Sequence, residues 1–393
     1  MHYRNNKNQE PLSVLGFGCM RFARKGNGID MDETQKQILL AIERGVNYFD
    51  TAYIYPGSEA ALGEILSRTG MRDKVNIATK LPQYLIRNRA GIDKYFLEEL
   101  GRLKTDHVDY YLMHMLTDLE AWNKLVKLGI EDWIREKKES GAIRNIGFSF
   151  HGNTEMFIRI LHAYDWDFCQ VQYNYMDEYS QAGREGVGEA ARLGIPVIIM
   201  EPLRGGKLVS LLPAKAKELI AADPKGRSAA ELAFSWLWNQ PQVTTVLSGM
   251  NTLEMVEENC RIADKAVPGM LAPEDEELVD KVRALINEKL LVGCTGCGYC
   301  MPCPHGVDIP GAFRCYNEMS MESKSVGRNE YFQVVSLRKK PAFPSQCVGC
   351  GRCEKHCPQH ISIIEELKKA DRALRPFPYR VASMVARRFA LKS

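Results

Sequence analysis

Long apolar runs are missing from this chain: no stretch reaches the length of a membrane span, so no transmembrane segment is expected. The first residues, Met1 to Pro11, are polar and do not read as a signal peptide, which argues against a secreted protein. An excess of charge of one sign is missing too. The 52 Lys and Arg against 49 Asp and Glu leave a formal +3. That balance argues neither for nor against nucleic acid, and no nucleic-acid partner is expected. No Gly-x-Gly-x-x-Gly turn opens a helix, which argues against a Rossmann dinucleotide site. With 393 residues, 45% hydrophobic and 26% charged, what remains is an ordinary globular chain of two domains.

Cysteine, by contrast, is concentrated. Cys347, Cys350, Cys353 and Cys357 form C-x2-C-x2-C-x3-C followed by Pro358. Cys294, Cys297, Cys300 and Cys303 form a near copy followed by Pro304, so eight of 12 cysteines sit in two runs. Iron in a cubane cluster needs soft thiolates converging from several directions, and a C-x2-C-x2-C turn aims three sulfurs at one small volume. Structural zinc fits less well, because zinc knuckles use two C-x2-C pairs separated by a longer loop. A disulfide scaffold belongs to small secreted domains. Two 4Fe–4S clusters are therefore expected. In two-cluster ferredoxins the cysteine before the proline ligates the other cluster. This groups Cys294, Cys297, Cys300 and Cys357 on one, and Cys347, Cys350, Cys353 and Cys303 on the other. The first run has two residues rather than three before Cys303, which leaves Cys315 as the alternative ligand. Cys19, Cys169 and Cys260 read as small buried hydrophobes. Clusters with unpaired cysteines place the protein in a reducing cytoplasm.

Up to about residue 290, apolar runs alternate with helix-length amphipathic segments. The runs are Leu12–Met20, Val46–Asp50, Val75–Lys80, Val108–His114, Ile143–Ser149, Phe168–Tyr173, Pro196–Met200 and Thr244–Ser248, after a hairpin-like N-terminal stretch. Eight near-continuous apolar runs separated by helices mean buried parallel strands, and their number suits a (β/α)8 TIM barrel better than an open sheet. Helices are expected over Thr34–Arg44, ending on Gly45, and after Ser228, which forms a capping box with Glu231. Residues 291–393 read as a second, mostly helical two-cluster ferredoxin-like domain, with helices over Glu274–Lys289 before it and Gly311–Met321 within it. Its tail clusters Arg372, Arg375, Arg380, Arg387 and Arg388 around Met384, Val385 and Phe389. An acidic partner, a membrane surface and a plain solvated helix are all open there.

In such a barrel the active site lies at the C-terminal ends of the strands. Asp50 ends the second run, Lys80 the third and His114 the fourth, with Tyr55 in the loop after Asp50. Each alone has a bland explanation as a cap, a solvated strand end or a satisfied core histidine. Together they point to chemistry.

On these residues the chain resembles the aldo-keto reductase family. The matching stretches are Leu15-Gly16-Phe17-Gly18, Asn47 to Tyr55, Ala78-Thr79-Lys80, Leu112-Met113-His114 and Gly147-Phe148-Ser149. The whole chain is similar to the subset of that family with a C-terminal dicluster ferredoxin domain. The resemblance implies a catalytic tetrad of Asp50, Tyr55, Lys80 and His114. It also implies nicotinamide contacts from Ser149 and Gln170, with Met200 where many members have a ring-stacking tyrosine and Phe150 where many have an amide. Glu258 and Asn259 would lie near the adenine, at the start of the last barrel helix. Gly249 and Met255 stand where many NADPH-preferring members have Lys and Arg, which leans toward NADH. Arg261 or Lys265 could compensate.

The expected function is reversible hydride transfer between NAD(H) or NADP(H) and a small carbonyl or alcohol substrate, linked to the clusters. Clusters pass single electrons and nicotinamide passes a hydride, so a flavin would bridge them; no flavin motif is found, and a barrel needs none. Two rivals stay open: an electron-transfer subunit serving a protein partner, and a non-catalytic barrel used for binding. Leu116, Trp122 and Leu125, with Tyr53, would wall an apolar pocket or simply pack.

Overall fold

The computed structural model describes residues 1–210, 212–294, 300–321, 323–336, 340, 342–357 and 360–390. Its contacts divide the chain into two units, residues 1–208 with 227–279 and residues 209–226 with 280–393.

In the first unit eight strands close a barrel: β1 (Leu15–Gly18), β2 (Tyr48–Asp50), β3 (Asn76–Leu81), β4 (Val108–Leu116), β5 (Ile143–Phe150), β6 (Phe168–Gln172), β7 (Val197–Met200) and β8 (Val243–Ser248). Each is parallel to its sequence neighbour, and β8 pairs with β1. Helices cover the outside, so the strands are buried on both faces and read as unbroken apolar runs. The interior layer is filled by Tyr48, Ala78, Tyr110, Leu112, Phe168, Ile198 and Leu247 together with Leu12. The ring of Tyr110 meets those of Tyr48 and Phe168 edge-on, each at 5.0 Å between centroids. Gly147 in β5 makes this packing fit, since a Cβ there would come within 2.6 Å of Phe168.

The first apolar run is two elements rather than one strand. Pro11–Ser13 pairs antiparallel with Tyr3–Asn5, β1 begins at Leu15, and Cys19–Arg21 is already a short 3-10 turn. The hairpin is anchored beneath the barrel, with the Asn6 amide donating to the Tyr110 hydroxyl at 2.8 Å. The first outer helix runs Met31–Glu43, earlier than its apolar periodicity implied. Asp30 caps it by accepting from the Glu33 amide at 3.1 Å, and in its opening turn Asp32 and Glu33 follow Met31, so the apolar periodicity starts only later. Ser228 caps the helix Ala229–Trp238 as expected, accepting from the Glu231 amide at 3.1 Å. The Glu231 carboxylate does not turn back to complete a capping box; it takes Lys265 at 2.8 Å and Arg261 at 3.3 Å.

The second unit is helical among its described residues, and its helices include Ala214–Ala221, Ile309–Met321, Lys324–Tyr331, Ile363–Leu374 and Phe377–Ala390. Its core gathers Val307, Ile309, Phe313, Cys315, Tyr331, Ile363, Leu367 and Leu374.

Candidate active site and cysteine cavity

Barrel register sets the mouth. Asp50 lies level with Ala78 in β3, and Lys80 level with Leu112 in β4. This brings the Lys80 ammonium to 2.7 Å from both Asp50 carboxylate oxygens and 2.6 Å from the Thr51 carbonyl oxygen. Lys80 is 1% exposed and Asp50 4%. Burial alone would push the lysine down, but the charge of Asp50 and then Tyr55 outweighs it and leaves the ammonium above its usual range. The Tyr55 ring lies over this cation, 5.1 Å from its centroid. Burial pushes the Tyr55 phenol up, and Lys80 pulls against that shift. The His114 imidazole meets the Tyr55 ring edge-on at 6.2 Å. Burial, then the charge of Lys80, holds His114 well below its ordinary range, so it is neutral at pH 7. Its Nδ1 is buried without a hydrogen-bond partner.

His114 is aimed by a β-bulge. Met113 pairs with Phe148 and Leu116 with Phe150, so His114 and Met115 face the single residue Ser149. Met115 takes a positive φ of 55°, and its amide donates to the Ser149 Oγ at 2.8 Å. Ser149 is level with Gln170 across β5 and β6. The Gln170 amide nitrogen contacts the Met200 sulfur at 3.8 Å, and its Oε1 is buried and unpartnered. Those two orphaned acceptor-capable atoms, His114 Nδ1 and Gln170 Oε1, fit a polar ring substituent entering the mouth.

Other expected positions fall differently. Glu258 and Asn259 lie in the middle of the helix Leu253–Ala263 and not at its start, which Thr252 caps. Asn259 is buried and donates to Ser248 at 3.0 Å, while Glu258 accepts from Ser228 at 2.9 Å. Arg261 and Lys265, the cations that could compensate for those lacking at Gly249 and Met255, both pair with Glu231. Phe150 packs at 5.0 Å on Phe157 of an outer helix. Leu116, Trp122 and Leu125 are core, Trp122 meeting Trp166 edge-on at 4.8 Å. Tyr53 bonds Glu98 at 2.8 Å, with Arg102 over its ring at 4.1 Å.

Two residues at the mouth were not found in the sequence. Tyr84, 44% exposed, sits 6.5 Å from His114. Arg21 donates to the Gly205 carbonyl at 3.0 Å and lies where a Cβ on Gly249 would meet it at 3.3 Å. Neither closes an apolar strand, where a polar side chain stands out in the sequence.

In the second unit a cavity of about 330 Å³ is lined by Cys300, Cys303, Cys347, Cys350 and Cys353 with Met301, Val307, Ile309 and Leu367. Cys300 and Cys303 thus share one space with the first three cysteines of the second run. Cys315 is fully buried in the apolar core, and burial pushes its thiol up to about 12. Cys294 and Cys357 flank the same core, and Cys297 and Pro358 lie outside the described residues. Among the described residues no three His, Cys, Asp or Glu converge tightly enough for one metal ion. Thiols spaced around a larger void suit a polynuclear centre, whose ligands attach to separate irons.

Comparison with known proteins agrees with both halves. A model described as the aldo/keto reductase family matches residues 14–269, and one described as a 4Fe-4S dicluster domain matches residues 293–362. The chain belongs to the aldo/keto reductase family and carries a C-terminal 4Fe-4S dicluster domain. An aldo-keto reductase of Mycolicibacterium vanbaalenii is 28% identical over 267 residues, covering 66% of this chain and 85% of the relative. The L-galactose dehydrogenase of Arabidopsis thaliana is 25% identical over 308 residues, covering 70% and 91%. The holo form of aldo-keto reductase AKR11C1 from Bacillus halodurans superposes with a TM-score of 0.60 at 26% identity, over 72% of this chain and 96% of that one. An aldo-keto reductase from Klebsiella pneumoniae in complex with NADPH shares the fold, with a TM-score of 0.57 at 21% identity over 72% and 95%.

Proposed function

We propose that the barrel transfers hydride reversibly between a nicotinamide dinucleotide and a carbonyl or alcohol substrate, and that residues 291–393 hold two 4Fe–4S clusters linked to that reaction. One observation carries the reading: a lysine buried to 1% exposure, gripped by both oxygens of Asp50 and lying against the Tyr55 ring. A scaffold has no use for so costly an arrangement. Ser149, Gln170 and Met200 would hold the nicotinamide, which supplies the hydride when bound. Cys303, Cys347, Cys350 and Cys353 would hold one cluster, and Cys294, Cys297, Cys300 and Cys357 the other, which pass single electrons when bound.

The chain's own residues do the rest. In reduction, negative charge develops on the substrate oxygen. Tyr55 donates its proton there, and Lys80 steadies the phenolate left behind, lowering a barrier that the phenol's high pKa would otherwise impose. Asp50 keeps Lys80 charged and fixed. Neutral His114 donates a hydrogen bond to the same oxygen and orients the carbonyl.

Tyr55→Phe tests this. Carbonyl reduction should fall by ~10²–10⁴-fold, the usual worth of general acid catalysis. Nicotinamide affinity should hardly change, because the hydroxyl acts in the transition state. Full activity in that variant sinks the mechanism; reduction of the clusters by NADH without substrate would favour the electron-transfer reading.

A further inference from the structure

From residue 372 to residue 393 the chain has six basic residues and no acidic one, so this end outweighs the +3 of the whole protein. The helix Phe377–Ala390 occupies most of that stretch. One side of it is held down: Ser383 is 5% exposed, and the Tyr379 hydroxyl reaches Asn329 at 3.3 Å with Arg328 over the Tyr379 ring. At 3.6 residues per turn, Phe377, Val381 and Met384 share the opposite side. They point away from the protein, 78%, 44% and 71% exposed. A large apolar stripe left in water on a basic helix is the pattern of a segment that lies in a membrane interface.

We propose that this helix binds the surface of an anionic lipid bilayer. The stripe enters the headgroup boundary, and the net positive charge of the stretch, which by sequence includes Arg387, Arg388 and Lys392, draws it to the anionic headgroups. Asp371, the last acid before the stretch, is already met by Arg375 at 3.0 Å and Arg380 at 3.4 Å, so it presents little repulsion. The helix lies on the bilayer and does not cross it. Its 14 residues extend about 21 Å against a hydrocarbon core of about 30 Å. Among the described residues no helix is long and apolar enough to cross a membrane. An acidic protein surface would match the arginines but gives no reason for three exposed apolar side chains on one ridge. A lipid interface accounts for both.

The test is co-sedimentation of the full chain, clusters intact, with extruded vesicles of phosphatidylcholine alone or with one-quarter phosphatidylglycerol. Binding to the anionic vesicles should be at least about tenfold tighter, since each basic residue near such a surface is worth roughly fivefold. It should weaken steeply in 0.5 M salt. Met384→Asp and Phe377→Asp alter only solvent-facing positions and should each cut binding about tenfold, with carbonyl reduction and iron content unchanged. No binding to anionic vesicles overturns the proposal. So does equal, salt-sensitive binding to polyglutamate that Met384→Asp leaves intact, which would assign the helix to an acidic protein instead.

Discussion

Replacing Lys80 with methionine separates the structural role of the buried ion pair from its chemical one. The substitution keeps most of the length of the side chain but removes the cation touching both Asp50 oxygens at 2.7 Å. A carboxylate 4% exposed is then stranded, and breaking a buried pair in this way costs about 3–5 kcal/mol. Asp50 can escape part of that cost by taking a proton, a tendency burial already gives it. The sign follows from linkage. In the variant Asp50 has a raised folded pKa against about 3.9 unfolded, so the folded state binds the extra proton. Stability is retained at low pH and lost as pH rises through the folded pKa, by up to about 1.4 kcal/mol per unit. In the wild type Lys80 is raised, so its contribution is full below about 10.4 and does not vary between pH 5 and 8. Burial raises wild-type Asp50 too, but Lys80 holds it lower than in the variant, so the gap widens as pH rises from the wild-type folded value of Asp50 to that of the variant. His114 adds in the same direction: its lowered pKa makes the wild type lose stability below about 6.5, and removing Lys80 relieves this.

All five tryptophans lie in the first unit, so anaerobic urea unfolding followed by tryptophan fluorescence reads the barrel. Asp50→Asn in the Lys80→Met background should restore most of the stability, flatten the pH dependence and recover no carbonyl reduction. A gap that stays constant from pH 5 to 8, or a double variant no more stable than the single one, would refute the account of Asp50 as the stranded charge.

Three further outcomes are expected. With no cation at Gly249 or Met255, and with Arg261 and Lys265 held by Glu231, NADH should bind at least as tightly as NADPH in calorimetric titration. A hundredfold NADPH preference, about 2.7 kcal/mol, would mean another cation such as Arg21 takes the 2′-phosphate. Anaerobically reconstituted protein should hold about eight iron and eight sulfide; Cys303→Ser should lose about half the iron and Cys315→Ser none, and the reverse pattern would reassign the ligand. Ser149→Ala removes both a proposed nicotinamide contact and the acceptor that pins Met115 in the bulge at 2.8 Å, so nicotinamide affinity should fall and, at saturating nicotinamide, kcat should still drop about tenfold with iron unchanged. Unaltered kcat would show that the bulge does not aim His114.

What could be read in advance follows from how locally each feature is encoded. Parallel barrel strands are buried on both faces, so each announces itself as an apolar run, and a polar side chain closing such a run stands out. That is why Asp50, Lys80 and His114 were visible. The bulge was not, because it is a mismatch between two strands 34 residues apart: Met115 at φ 55° looks like any other exposed methionine until Ser149 is placed opposite it. Arg261 and Lys265 looked available because cations are counted one at a time in a sequence. Only folding brings them to one carboxylate, that of Glu231, whose position after Ser228 pointed to a different partner. Tyr84 and Arg21 were missed for a related reason: each lies in a short 3-10 turn just past a strand, where neither period-2 nor period-3.6 patterning marks a face. The cysteine runs were legible because ligand spacing along the chain is itself the signal. Which run completes which cluster is a question about two distant segments, and the one cavity lined by Cys300 and Cys303 together with Cys347, Cys350 and Cys353 brings those segments together as no spacing could show. Chemistry carried by one strand end or one turn is written in the sequence; chemistry carried by a pairing has to wait for the fold.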